Sequence, residues 1–270
     1  MPTSPLTLPS PTARTVLALL LGLFLTPDTT RAQQTDSSAV LSDSAIALIA
    51  ATSVGGPSSA FDAPLALLDR VLALMPADGV GLHYKGYILY RKAEALSGDG
   101  TRKKEYKALL QEADRILTQS ATVLPWSETL ALRASVVGQL IGVSGIFAVT
   151  RLGPRTNRLM DEAVALGPDN PRVWMLKGIS SIHKPRMFGG GLDNAERDLK
   201  KAIVLFPADS ARAPKPSWGH AEAWAWLGRV YADLKRVDDA RAAYTRALEI
   251  EPAFDWVRHH LLPALDSSSR

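Results

Sequence analysis

The residues best suited to chemistry lie in one glycine-rich stretch, HKPRMFGGGLDNAERDL, which starts at residue 183. Backbone amides of Gly189, Gly190 and Gly191, the cations Lys184 and Arg186, and the start of the next helix could together bind an anion. The stretch lacks the Lys-Ser/Thr pair of a phosphate-binding P-loop, and no strand precedes it. We therefore predict a turn between two helices, and an anion or partner contact at these five residues is the alternative.

Other reactive side chains do not form a catalytic or metal-binding pattern. The chain has no cysteine, and none of its five histidines has the spacing of a zinc site on a helix. No serine elbow or HExxH motif is present. The sequence therefore predicts no catalytic residue, no metal and no cofactor, and a chain that is not an enzyme.

The strongest pattern in the chain is AEAWAWLGRVYADLKRVDDARAAYTRALEIEPAF, residues 221–254. Its apolar and small residues fall at helical spacing in two blocks. Gly228 and Ala240 are predicted where two antiparallel helices cross, because larger side chains there would push the helices apart. Pro252 would end the second helix. The signature positions are Trp224, Leu227, Gly228, Tyr231, Ala240, Tyr244, Ala247 and Pro252.

The same spacing extends toward the N-terminus. Residues 171–208 carry it at Trp174, Gly178, Ala195, Ala202 and Pro207, with a longer turn between the two blocks. Two looser pairs and one degenerate pair precede them. Residues 254–265 are expected to form a capping helix, because the last pair would otherwise expose its stacking face.

These motifs resemble the tetratricopeptide (TPR) superfamily, and the order of elements is similar to exported bacterial TPR proteins of unassigned activity. The resemblance implies an all-α, TPR-type helical-hairpin solenoid of four to five repeats with a C-terminal capping helix, over residues 44–266. It also implies a concave groove on the inner faces of the first helices. The lysine and asparagine clamp of the family is missing, and the expected groove residues are His83, Tyr87, Tyr90, Arg91, Arg172, Met175 and Arg229.

The N-terminal sequence has the pattern of a targeting segment. Arg14 precedes the apolar run VLALLLGLFL, and Thr30-Arg31-Ala32 offers a small-x-small cleavage site. The run is too short to span a bilayer, so a cleaved signal peptide over residues 1–32 is favoured over a retained anchor. We expect a flexible lead-in at 33–43, a disordered tail at 267–270, and a periplasmic or secreted mature protein without stable membrane insertion.

The composition of the chain limits the classes of partner that it is expected to bind. The net charge is only +4, and lysine and arginine are scattered among acidic residues rather than grouped, which argues against nucleic-acid binding. The leading hypothesis is an exported scaffold or adaptor that binds a protein or peptide segment in its groove. The alternative is an accessory protein that binds a small anionic solute for a transport system. The oligomeric state is open.

Overall fold

The computed structural model describes residues 27–52, 56–145, 147–209 and 216–268, and the regular structure of these residues is helical. Short 3₁₀ turns lie at several helix ends, and a π-helical turn at Val257–Leu261 precedes the last helix. The helices are α1 (Pro27–Ala50), α2 (Asp62–Leu74), α3 (Gly79–Glu94), α4 (Lys103–Val123), α5 (Ser127–Val143), α6 (Phe147–Leu166), α7 (Pro171–His183), α8 (Leu192–Leu205), α9 (His220–Asp233), α10 (Val237–Ile250) and α11 (Leu262–Ser268).

Consecutive helices pack in five pairs, α1 with α2 through α9 with α10, and each pair stacks on its neighbours. Phe254, Val257 and Leu265 of the C-terminal segment are buried, so this segment covers the end of the last pair. The predicted all-α solenoid of paired helices with a C-terminal cap is therefore confirmed.

Small residues allow the two helices of a pair to approach closely. A Cβ added to Gly228 would lie 2.6 Å from Cδ1 of Tyr244 and 3.1 Å from the carbonyl oxygen of Ala240. Gly178 has the same relation to Leu199, at 2.8 Å from Cγ. The crossing predicted at Gly228 and Ala240 is therefore present, and Ala240 is fully buried.

The other signature positions follow one pattern of burial. Trp174 and Trp224 are half-buried, and the prolines that end the second helices, Pro207 and Pro252, are exposed. The remaining signature residues are buried between the helices: Leu227, Tyr231, Ala195, Ala202, Tyr244 and Ala247.

Both ends of the described chain are more helical than the sequence indicated. Helix α1 runs through 33–43, where we expected a flexible lead-in, and α11 continues to Ser268, into the expected tail. Ser38 and Ala45 of α1 are buried against the rest of the fold, so packing holds a segment whose local composition is polar. Residues 1–26, most of the expected signal peptide, lie outside the described residues. Within the described ranges, none of the helices is both long and apolar enough to cross a bilayer.

Candidate binding site

Six of the seven predicted groove residues are buried on the first helices of their pairs, and we call them the inner cluster. Helix α3 contributes four of them and α7 contributes two. They do not line an open groove, because none is more than 5% exposed. The members are His83, Tyr87, Tyr90, Arg91, Arg172 and Met175.

Arg91 joins the second helix pair to the fifth. Its Nη2 lies 2.5 Å from Oε2 of Glu222, which is on α9 and is only 3% exposed. Its Nη1 lies 2.7 Å from Oε2 of Glu94, and its Nε donates to the hydroxyl of Tyr87 at 2.9 Å. Burial alone would lower the pKa of Arg91, but Glu222 and the other anions around it raise this pKa well above its usual value. The guanidinium is therefore held charged inside the solenoid.

Arg172 is bound by the connection between α8 and α9. Its Nη1 lies 2.8 Å from Oδ2 of Asp209. The indole of Trp218 lies between the two arginines, with its ring centroid 4.9 Å from that of Tyr87. The guanidinium carbons of Arg91 and Arg172 are 5.6 and 5.8 Å from the Trp218 ring. Two residues of the connection, Asp209 and Trp218, therefore pack against the inner cluster.

His83 is the neutral member of the inner cluster. Its Nδ1 lies 2.9 Å from Oγ1 of Thr129, and its ring makes an edge contact with Trp126 at 5.3 Å between centroids. Burial, with a smaller contribution from the positive charge of Arg172, lowers the pKa of His83 to about 3. The imidazole is thus uncharged at neutral pH, and its Nε2 is buried without a hydrogen-bond partner among the described residues.

A cavity of about 350 Å³ opens beside the inner cluster, where the first and last helix pairs meet. Ile46 and Ile49 of α1 form an apolar wall, and aromatic side chains of α3 and the connection form another. Glu222 and Glu251 also line it. The lining is completed by residues that include Tyr84, Tyr87, Trp218, His220 and Ile250.

Arg229, the seventh predicted groove residue, lies apart from the inner cluster. Its guanidinium carbon is 5.4 Å from the ring centroid of Trp226, and its charge contributes, after burial, to lowering the pKa of His183. Trp226 in turn packs against Trp256 of the C-terminal segment, at 4.8 Å between ring centroids.

The glycine-rich stretch forms a turn whose amides are already used. Gly189 donates to the carbonyl of Arg186, Gly190 to that of Pro185, and Gly191 to that of Ser181. A side chain at Gly190 would overlap the carbonyl of Lys184, which explains the need for glycine there. The geometry thus gives the three glycines a structural role and leaves none of their amides available to an anion.

The side chains of the two cations in this stretch also have partners within the chain. Lys184 donates to Asn157 at 2.8 Å, and exposed Arg186 lies 3.1 Å from Asp193. Gly191 holds the N-cap position of α8, and Asp193 lies in the first turn of that helix.

Sequence reasoning missed Asp209 and Trp218, because both lie in a connection outside the repeat pattern. The pattern assigns inner faces only to helices, so no signature position points to either residue.

In the described part of the chain, no three histidine, aspartate or glutamate side chains come together in an arrangement that could hold a metal ion.

Comparisons with known proteins agree with this architecture. The tetratricopeptide repeat model matches residues 221–254. The haemophore HusA from Porphyromonas gingivalis has a similar structure at 23% identity and a TM-score of 0.58, over 72% of this chain and 92% of the haemophore. A thermophilic TPR protein from Thermus thermophilus, TTC0263, is similar at 19% identity and a TM-score of 0.58, over 84% of this chain and 98% of that one.

No curated protein matches the chain in sequence. At these identities the structural likeness concerns the fold, and the family model adds the identity of one repeat. The chain is therefore a helical solenoid of the tetratricopeptide type, with residues 221–254 as its matched repeat.

Proposed function

We propose that the chain is a non-enzymatic scaffold that binds a segment of a partner protein on its concave side. The cavity beside the inner cluster carries this proposal, because it combines apolar, aromatic and carboxylate groups in one recess. Stacked helix pairs use such concave surfaces to bind extended partners. Buried anchors that fill a pocket supply most of the binding energy in protein interfaces.

The lining of the cavity fits an apolar anchor residue of a peptide. Ile46 and Ile49 offer apolar contact, and Trp218 and Tyr84 offer aromatic faces. Glu251 adds a carboxylate that would attract amide or cationic groups beside the anchor. A volume of about 350 Å³ lies at the lower end of the range for ligand pockets, so we expect one or two side chains to enter.

Site-specific photo-crosslinking tests this proposal. A photoreactive phenylalanine at Ile46, which is half-buried and lines the cavity, should crosslink to one defined segment of a partner. The same residue at Val204, which is 76% exposed on α8, is the matched control. Ile49→Glu should abolish the Ile46 crosslink. Equal labelling from Ile46 and Val204, or a crosslink that survives Ile49→Glu, would contradict a partner site in the cavity.

A second candidate is the binding of a small anionic solute for a transport system. His220 lines the cavity together with the aromatic rings of Tyr84 and Tyr87, and burial lowers the pKa of His220, which keeps its imidazole neutral. Because a solved haemophore has a similar fold, haem is a suitable probe. Glu251 weighs against this candidate, since its carboxylate would repel those of haem, whereas the carboxylate of Glu222 is already paired with Arg91.

Absorbance titration with haemin separates the two candidates. A Soret shift that saturates at one equivalent and is lost in His220→Ala would favour the solute. No spectral change with the wild-type chain would remove haem as the ligand and leave the protein segment as the proposed occupant.

Export is also part of the proposal. The apolar run before Ala32 and the small residues at the cleavage site support a signal peptide and a periplasmic or secreted location. The mature chain from a bacterial host should begin at Gln33 by N-terminal sequencing and lie in the exported fraction. An intact N-terminus in the cytoplasmic fraction would contradict export.

A further inference from the structure

A second cavity, of about 260 Å³, lies between α6, α7 and the glycine-rich turn. Lys177 and Ser180 line it from α7, and Lys184, the residue that follows this helix, lines it too. Ser180 and Lys184 lie three and seven positions after Lys177, so the three residues share one face of the helix. Asn157 and Asp161, four positions apart, line the cavity from α6. None of these residues lines the cavity beside the inner cluster.

Two cations and one anion of this cavity are not fully satisfied by the chain itself. Lys184 donates to the neutral amide of Asn157 at 2.8 Å, and it forms no ion pair with any of the described residues. Nζ of Lys177 lies 3.9 Å from Oδ2 of Asp198, an ion pair without a hydrogen bond. The exposed carboxylate of Asp161 has neither a hydrogen bond nor an ion pair within the described ranges. Three charged groups are therefore available to a ligand.

We propose that this cavity binds an acidic amino acid, L-glutamate or L-aspartate. Its two carboxylates accept from Lys177 and Lys184, and its ammonium group donates to Asp161. The lining carries two positive charges and one negative charge, and the ligand carries the inverse set, so the two are complementary. The hydroxyl of Ser180, which has no hydrogen-bond partner in the part of the chain that the structure describes, is a further polar contact. This site goes beyond the proposed scaffold function and does not depend on it.

Simpler ligands complement the lining less well. Inorganic phosphate would meet the two lysines but would also face the like charge of Asp161. A dicarboxylate without an amino group has the same disadvantage. Met160 and Phe188 add apolar surface to the lining, which suits the methylene groups of an amino acid. The volume of about 260 Å³ lies below the range for drug-sized ligands, as expected for a site that holds a single amino acid.

The three charges of this cavity also act on one another. Burial lowers the pKa of Lys184, the negative charge of Asp161 raises it, and the positive charge of Lys177 lowers it. A carboxylate beside the two ammonium groups would offset both the burial and their mutual repulsion. An anionic group therefore stabilises the charged form of Lys184, which a neutral solute does not do.

Isothermal titration calorimetry of the full chain tests the site. L-glutamate or L-aspartate should bind at one equivalent with a Kd below about 1 mM. The amide of that amino acid lacks one carboxylate, and its dicarboxylate analogue, glutarate or succinate, lacks the ammonium group. Each should bind about ten to a hundred times more weakly. No saturable binding of either acidic amino acid up to about 10 mM would overturn the proposal, as would a dicarboxylate or inorganic phosphate that binds as tightly.

Substitution of Asp161 separates the ammonium contact from general anion binding. Asp161→Asn should weaken binding of the amino acid by about tenfold or more and strengthen binding of the dicarboxylate, because the like charge is removed. Lys184→Met should weaken the binding of both ligands. Unchanged affinity for the amino acid in Asp161→Asn, or equal losses for the two ligands, would contradict the assigned contacts.

Two control variants lie outside the lining and should bind as the wild type does. Glu162→Gln changes the exposed neighbour of Asp161 on α6, and Lys201→Met changes a lysine that contacts the ring of Trp174, as Lys177 does. Circular dichroism verifies folding, and the ligand series on the wild type decides the matter where a variant does not fold. Saturating amino acid should leave the Ile46 crosslink unchanged, because the two cavities share no lining residue. This site and the scaffold function can therefore be refuted separately.

Discussion

The ion pair between Arg91 and Glu222 gives the most informative perturbation, because it joins α3 to α9 across the concave side. The side chains are 5% and 3% exposed, so solvent screens the pair weakly. Arg91→Met would leave Glu222 buried without its cation, which costs about 3–5 kcal/mol of unfolding free energy. Glu222→Gln keeps the shape and removes one of the anions around Arg91, and we expect a cost of about 1–3 kcal/mol.

A double-mutant cycle measures whether the two residues meet in solution. The double variant removes both charges, so it should be more stable than the sum of the single losses predicts, with a coupling of about 1–3 kcal/mol. The assay is urea unfolding of all four proteins at one pH and ionic strength. Arg115→Met is the matched control: its partner Glu112 is 40% exposed, and the loss should stay below about 1 kcal/mol.

Additive losses of unfolding free energy in the two single variants would refute the ion pair between Arg91 and Glu222. If the single losses sum to the double loss within about 0.5 kcal/mol, Arg91 and Glu222 do not interact, and the second and fifth helix pairs are not joined as the structure has them. A small loss for Arg91→Met alone would likewise contradict burial of Glu222 beside an arginine.

Three further outcomes are expected from unfolding measurements. The pKa of His83 is about 3 in the folded chain and 6.5 in the unfolded chain, so the unfolded chain binds more protons between these two pH values. The free energy of unfolding should therefore be fully retained above pH 6.5 and should fall as the pH is lowered toward 3. We expect this fall to be larger in the wild type than in His83→Asn, by up to about 4 kcal/mol. Gly228→Ala should lose about 1–3 kcal/mol against Tyr244, whereas Gly142→Ala, with open space around it, should gain about 0.5–1 kcal/mol in a thermal or urea melt. Ala240→Glu should cost several kcal/mol, and an unchanged melting temperature would mean that the assigned crossing is wrong.

Local spacing was sufficient to predict the helix pairs. Small residues such as Gly228 and Ala240 and the prolines after second helices report directly on contacts within one pair. Those contacts are short in sequence, so their pattern repeats and can be recognised. The C-terminal cap followed from the same reasoning, because the last pair needs a cover.

The closure of the concave side could not be predicted in this way. It depends on how far successive pairs rotate, which is the sum of small angles that no single position fixes. The spacing assigns Arg91 to one face of its helix, but it does not reveal the partner Glu222, which is three pairs further along. Trp218 lies in a connection without a repeat register, so only the folded arrangement reveals its contact with Tyr87.

Oxidative footprinting of the wild-type chain tests the closed concave side most directly. Met175 on the inner face is 1% exposed and Met187 in the glycine-rich turn is 83% exposed, so one protein carries both the test residue and its reference. Brief peroxide treatment followed by peptide mass spectrometry should convert Met187 to the sulfoxide while Met175 stays protected until denaturant is added. Similar oxidation rates for Met175 and Met187 in the folded protein would mean that the groove is open, in contradiction to this account.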